Sequence, residues 1–395
     1  MERLDLLARI GAASDRPGVT RPGLSAAEDA AHMLVAEWCG EAGLTVSRDA
    51  AGTLYARPRA AAPAASEIWS GSHLDTVPCG GRFDGALGVV AALEAVAEVA
   101  RDQPEAPLAL VVFRDEEGWR FGRECFGSRC FVGGVAPDEL ESTDATGVSV
   151  GAALATLGLA GPPVGVPPPA AYVEAHIEQG PVLDAAGAAL GDVAAIAGMA
   201  AFAVAVRGAS GHAGTVPMTD RRDAFAACAE LAVRLRERVL QIDGAVVTIG
   251  DAAVADPAAN LIPPHVSATV DARAPSKGAL DRLIGAVSSI AAEVAVGHGC
   301  RIGVVPSWRT GPVELAHRVR AAVRVAAGRL GAPILEVASG AGHDAGILAA
   351  AGVDAGMLSV RSRNGGATHR PDELTDEGDV AVAVGVLAET LRELL

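Results

Sequence analysis

FDGALGVVAALEAVAEVARDQPEAPLALVVFRDEEG, residues 83–118, decides the fold. Its first half carries Ala, Leu and Val at helical spacing, which predicts a helix over 86–101 that ends at the polar turn 102–107. LALVVF (108–113) is a short unbroken apolar run and fits a parallel strand buried on both faces. A helix feeding such a strand, with a polar loop after it, is one unit of an open α/β sheet. Ligands in such sheets collect beyond the carboxyl ends of the strands. Glu116 and Glu117 stand in that loop, and Asp84 stands just before the helix.

Similar units recur on either side. Residues 25–43 read as an amphipathic helix opened by a Ser25–Glu28 capping box, with Met33, Leu34 and Trp38 at helical spacing. Strands are expected near 51–56 and 67–73, separated by an Ala/Pro segment (56–66). GPPVGVPPP (161–169) reads as a stiff loop leading into the strand of AYVEAHIEQG. The apolar stretch 185–206 contains Asp192 and breaks at Gly191 and Gly198, so paired buried strands explain it better than a membrane helix. From Met199 the texture changes to AAFAVAVRG, GHAGTVPM, a helix over 220–239, VVTIGDAAV, HVSATVDAR and a helix over 276–295. This predicts a compact α+β module inserted into the first domain. A helix at 313–329 and a last strand, GMLSV, return to the main pattern. The expected fold is α/β: residues 1–198 and 312–395 form the main domain on a mostly parallel central sheet, and 199–311 form the inserted domain.

At 395 residues, two domains are the better expectation. Half the chain is hydrophobic with only 3% aromatic residues, so the cores must be Ala, Val and Leu packing. The net charge of −16 argues against nucleic acid or an anionic membrane surface as the main partner. Six scattered cysteines form no CxxC pair, and the N-terminus has no apolar signal core, so a cytoplasmic protein with reduced thiols is expected.

Five side chains without a thiolate could ligate metal: His73 in GSHLDTVP, Asp84 in GGRFDGALG, Glu117 in RDEEGWRFG, His176 in EAHIEQGP and His369 in GGATHRPDE. Imidazole and carboxylate together suit Zn²⁺, Mn²⁺, Co²⁺ or Ni²⁺, and two such ions sharing a carboxylate would make a hydrolytic centre. Each residue also has a plainer reading. His73 can be a structural hydrogen-bonder, Asp84 a helix cap, Glu116–Glu117 a solvated pair, and His176 a buried imidazole satisfied by a carbonyl. Asp75, two residues after His73 on a strand end, can face the same pocket and fix the His73 tautomer. Adjacent Glu116 and Glu117 repel unless cations compensate, which makes Glu117 a ligand and Glu116 a proton acceptor. His212 sits in the inserted module and suits reaching across a cleft; His343, in SGAGHDAG, suits substrate binding or support of a ligand.

Together GSHLDTVPCGGRFDGALG, DEEGWRFG, EAHIEQGPVLD, GASGHAGTVPMTDRRDA and SGAGHDA resemble the amidohydrolase branch of the M20 metallopeptidase superfamily, from about residue 25 to the C-terminus. That branch includes N-carbamoyl-L-amino-acid hydrolases, allantoate amidohydrolases and ureidoglycolate amidohydrolases. The resemblance implies that 1–198 and 312–395 are a catalytic domain holding two divalent metals per subunit, and that 199–311 is a lid domain that also forms a homodimer. One metal would take His73, Asp84 and His176, the other Asp84, Glu117 and His369. Glu116 would be the general base, and Gln179, His212, Asn260 and Arg273 would contact a ureido carboxylate. The implied reaction is hydrolysis of a ureido C–N bond; a peptidase or aminoacylase of the same superfamily is the alternative. Cys79, Trp119 and Ala367–Thr368 depart from the branch's usual residues, with Cys79 expected near the metals and Trp119 expected to narrow the pocket or alter its loop.

Overall fold

ERLDLLAR puts Leu4 and Leu7 on one side of a helix, and both are buried in α1 (Glu2–Arg9), an element not expected from the sequence. The computed structural model describes residues 1–13, 15–61, 66–161 and 166–395. The chain divides into two units, Met1–Ala194 with Glu314–Leu395, and Ala195–Val313.

In the first unit, Ser25 caps α2 (Ala26–Glu41) by accepting the Glu28 N–H. The capping box does not close. Glu28 turns inward, where its carboxylate accepts the N–H groups of Leu24 and Asp115 and lies 3.2 Å from the buried Arg114 guanidinium. Met33 is exposed; the buried face runs through Ala31, Val35, Trp38 and Cys39. β1 (Leu44–Arg48), β2 (Leu54–Pro58), β3 (Ile68–His73), α3 (Ala86–Asp102) and β4 (Leu108–Phe113) follow. β2 takes up the first residues of the expected Ala/Pro linker. Residues 62–65 of that linker, and 162–165 of the proline-rich loop, lie outside the described residues. Short helices α4 (Phe126–Phe131) and α5 (Val150–Thr156) precede β5 (Ala171–Ile177), α6 (Val182–Ala186) and β6 (Leu190–Ile196).

The second unit contains β7 (Gly198–Arg207), β8 (Gly211–His212), α7 (Ala224–Val239), β9 (Val246–Val254), β10 (Leu261–Ile262), β11 (His265–Ala274), α8 (Lys277–Gly297) and β12 (Arg301–Thr310). Its four-stranded antiparallel sheet runs β12-β7-β11-β9. Alternate residues of β7, Ala200, Phe202, Val204 and Val206, bury against Leu231 and Leu235 of α7 and Leu283 and Val287 of α8. The first unit then resumes with β13 (Val313–Glu314), α9 (His317–Arg329), β14 (Ile334–Ser339), α10 (Asp344–Ala350), β15 (Ala355–Val360) and α11 (Glu377–Leu394). No helix was expected at α11, although its buried positions 380, 383, 387, 391 and 394 follow helical spacing.

Among the described residues the first unit's sheet is ordered β1-β2-β4-β3-β5-β15-β6-β13, with β14 also on β6. Its four middle strands, β4, β3, β5 and β15, are parallel, and antiparallel pairs flank them. β6 and β7 do not pair with each other as expected: β6 lies beside β15, and β7 between β11 and β12. Gly191 does not break β6 but lets Val337 and Ser359 pack against its backbone. Among the described residues no helix is long and apolar enough to cross a membrane.

Candidate metal centre

The parallel strands set the site. His73 is the last residue of β3, level with Phe113 at the end of β4, so the 114–117 loop leaves the sheet beside it. His176 lies near the end of β5, level with Ser359 of β15, the strand that leads to the 361–373 segment carrying His369. Asp84 enters from the loop before α3. All five candidate ligands thus emerge at the carboxyl edge of the parallel strands, where an open α/β sheet gathers its functional groups.

The structure brings them into two groups that share Asp84: His73, Asp84 and His176, all buried, and Asp84, Glu117 and His369. Asp84 Oδ1 lies 3.1 Å from His176 Nε2 and 3.8 Å from His73 Nε2, and the two Nε2 atoms are 3.5 Å apart. Asp84 Oδ2 lies 3.4 Å from His369 Nε2, which in turn lies 3.1 Å from Glu117 Oε2. His176 Nδ1 is 2.9 Å from the Ile177 carbonyl and donates to it, leaving the Nε2 lone pair for a ligand. Buried Asp84 Oδ1 and Glu117 Oε1 accept no hydrogen bond from the described residues. Two imidazole lone pairs and two unpartnered carboxylate oxygens converging without thiolates are a donor set that fits divalent cations.

Electrostatics points the same way. Burial raises the Glu116 carboxyl well above its usual range; Glu117 adds to the rise and His73 opposes it. Glu117 is raised by burial and by Asp84. Burial resists charging His73, but Glu116, Asp75 and Asp84 together lift its pKa well above the ordinary value. Bonds to Asp84 and Glu117 raise His369 to about 10. Protons are thus favoured on Glu116, Glu117, His73 and His369 but not on Asp84, and cations would displace those on the ligating groups as they bind.

Asp75 organises the inner side. Its carboxylate accepts the N–H groups of Glu116 and Glu117, each at 3.0 Å, and stands 3.2 Å from His73 Nδ1. Glu116 Oε2 lies 3.6 Å from His73 Nε2, directly beside the first group. Gly85 has φ 61°, and a Cβ there would sit 2.5 Å from the His73 ring, so both backbone and packing require glycine. Gln179, expected to contact substrate, donates from Nε2 to Asp84 Oδ2 at 2.9 Å. Thr368 donates to the same oxygen at 2.9 Å, so this departure from the branch pattern touches the shared carboxylate itself. Gln179 and His369 both hold left-handed backbone, φ 57° and 56°, the kind of strain that accumulates at functional sites. Glu373 was not singled out from the sequence; only its proximity to His369 could have drawn attention to it.

His343, expected to bind substrate or to support a ligand, is buried: its ring packs 4.6 Å from that of His176, and its Nε2 is 2.8 Å from Ser339 Oγ. Cys79 belongs to neither candidate ligand group, and Trp119 is exposed. In the second unit, His212 on β8 pairs with Leu261, next to Asn260, whose carbonyl accepts the Ala213 N–H. His212 Nδ1 accepts the Gly214 N–H, which puts the proton of the neutral ring on Nε2. Arg273 is half-buried on β11, its Nε donating to Asp271 on the same strand face at 2.9 Å.

A profile described as Peptidase family M20/M25/M40 matches residues 69–393. An N-carbamoyl-L-amino acid amidohydrolase of Geobacillus stearothermophilus is 37% identical, covering 98% of this chain and 97% of its own. A probable allantoate deiminase of Oryza sativa subsp. japonica is 33% identical, covering 95% and 85%. The crystal structure of an amidase of the hydantoinase/carbamoylase family from Burkholderia multivorans matches with a TM-score of 0.90 at 32% identity, covering 99% and 95%.

Proposed function

The chain belongs to peptidase family M20/M25/M40, in its amidohydrolase branch, and from that premise we propose that it cleaves the C–N bond of a ureido carboxylate such as an N-carbamoyl-L-amino acid or allantoate, releasing CO₂ and ammonia. It is a hydrolase acting on non-peptide C–N bonds. The observation that carries the reading is the Asp84 carboxylate, whose two oxygens face two separate ligand groups with Glu116 alongside.

His73, Asp84 and His176 would hold one divalent cation, and Asp84, Glu117 and His369 a second. Such ions, when bound, polarise a carbonyl and make water acidic enough to attack at neutral pH. Glu116 takes the proton of the attacking water as it adds to the carbamoyl carbon, then gives it to the departing nitrogen. Asp75 holds the Glu116–Glu117 backbone and the His73 ring in place while the proton moves. Gln179, His212, Asn260 and Arg273 are the proposed substrate-binding residues. Arg273 is suited to a carboxylate because its planar fork can make two parallel hydrogen bonds. We extend the proposal to a homodimer formed through the second unit, whose edge strands β9 and β12 expose Val246, Val305 and Trp308.

The test is ammonia release from a panel of N-carbamoyl-L-amino acids, allantoate, β-ureido acids and N-acyl amino acids. The panel is run on metal-stripped protein reloaded with Mn²⁺, Zn²⁺, Co²⁺ or Ni²⁺, with amine release followed in parallel. Turnover of ureido compounds only after reloading is expected. Turnover confined to N-acyl compounds would replace this reading with an aminoacylase.

A further inference from the structure

Glu373 is buried at 5% exposure, yet it lies outside both ligand groups and has no part in the chemistry described above. Its Oε1 accepts two backbone N–H groups, from Phe83 at 2.7 Å and Asp84 at 2.9 Å, across some 290 residues of sequence. Its Oε2 lies 3.5 Å from Thr368 Oγ1. Gly81 packs against this carboxylate so closely that a Cβ there would fall 2.2–2.4 Å from Glu373 atoms. Glu373 therefore ties together two segments: the 81–84 loop that carries Asp84 and the 368–373 segment that carries His369.

We propose that Glu373 is a positioning residue that orients Asp84 toward both ligand groups. The division of labour is visible atom by atom. Glu373 fixes the Asp84 backbone, while Thr368 and Gln179 hold Oδ2. Oδ1 receives no hydrogen bond and is left facing His73 and His176. A carboxylate pinned through its backbone and one oxygen cannot rotate both oxygens to one side, which is what a bridging ligand requires. Hydrogen-bonded supports of this kind typically contribute roughly 10–100-fold to metal affinity. The inference deepens the metal-dependent reading and rests on it.

The test uses metal-stripped full-length protein titrated with Zn²⁺ against a chromophoric chelator, with the melting of the metal-free protein measured separately. Glu373→Ala is expected to weaken Zn²⁺ binding roughly 10–100-fold. Glu373→Gln keeps a carbonyl oxygen able to accept both N–H groups and should restore binding to within a few-fold of the parent. Gly81→Ala should weaken binding by displacing the Glu373 carboxylate, and combining it with Glu373→Ala should add little further loss, because both remove one support. Glu373→Gln and the single Gly81→Ala variant keep the test open should Glu373→Ala fail to fold. Equal Zn²⁺ affinity in the parent and Glu373→Ala would overturn the inference, even if the metal-free variant melted earlier. Glu373→Gln as weak as Glu373→Ala, or full additivity of the Gly81→Ala loss, would overturn it as well. A parent chain that binds no Zn²⁺ would overturn the metal-dependent reading itself, and this inference with it.

Discussion

His73, Asp84 and His176 are buried at the ends of strands or against them, whereas in the second group the His369 side chain remains 46% exposed on a loop with left-handed backbone. The first group inherits its geometry from the hydrogen-bonded register of β3 and β5. The second depends on a loop joined to the rest by a few side-chain contacts. Rigid, preorganised donors lose less freedom when they take up an ion, so the two groups should differ in affinity and in what their loss does to the fold. Asp84 belongs to both and links their fates.

The largest expected effect breaks both groups at once. Asp84→Ala should bind neither ion firmly and lose activity on the order of 10⁴-fold or more, as deletions of central catalytic groups do. Ammonia release and metal content after dialysis would check it. Next, Glu116→Gln should keep its full metal content while activity falls by roughly 10²–10⁴-fold, the usual contribution of general acid–base catalysis. Full activity in this variant would remove Glu116 from the mechanism.

The third effect sharpens the contrast in stability. Among metal-free proteins, His176→Ala deletes a buried ring and should cost about 2–4 kcal/mol. His369→Ala removes a half-exposed imidazole bonded to Asp84 and Glu117 and should cost less, about 1 kcal/mol. Denaturant unfolding measures both, and equal losses would erase the distinction drawn between the groups. A loss smaller than that of His176→Ala is confined to the buried group: Gly85→Ala meets the His73 ring and a positive φ, and should cost about 1–3 kcal/mol.

The same contrast explains how much was legible in the sequence. β4 could be read because LALVVF is an unbroken apolar run, and Glu116 and Glu117 stood just beyond its end, as His73 and His176 stood at or near the ends of β3 and β5. The supports could not be read so well. Glu373 in HRPDELTD looks like one solvated acid among several, and its role exists only through N–H groups near residue 84. Glu28 matched a capping box from local spacing, but the buried Arg114 drew its carboxylate elsewhere. The apolar stretch 185–206 was correctly seen as strands, yet nothing local shows that β6 and β7 join different sheets. α11 carries a helical pattern as regular as that of α3 and was legible in principle.

Anomalous scattering from crystals of metal-stripped protein soaked in Zn²⁺ tests the account most directly. At low Zn²⁺ a first peak is predicted within about 2.0–2.2 Å of His73 Nε2, His176 Nε2 and an Asp84 oxygen. A second peak beside Glu117 and His369 should follow at higher Zn²⁺. Peaks away from these five side chains, or a Zn²⁺-saturated protein with neither group occupied, would contradict it.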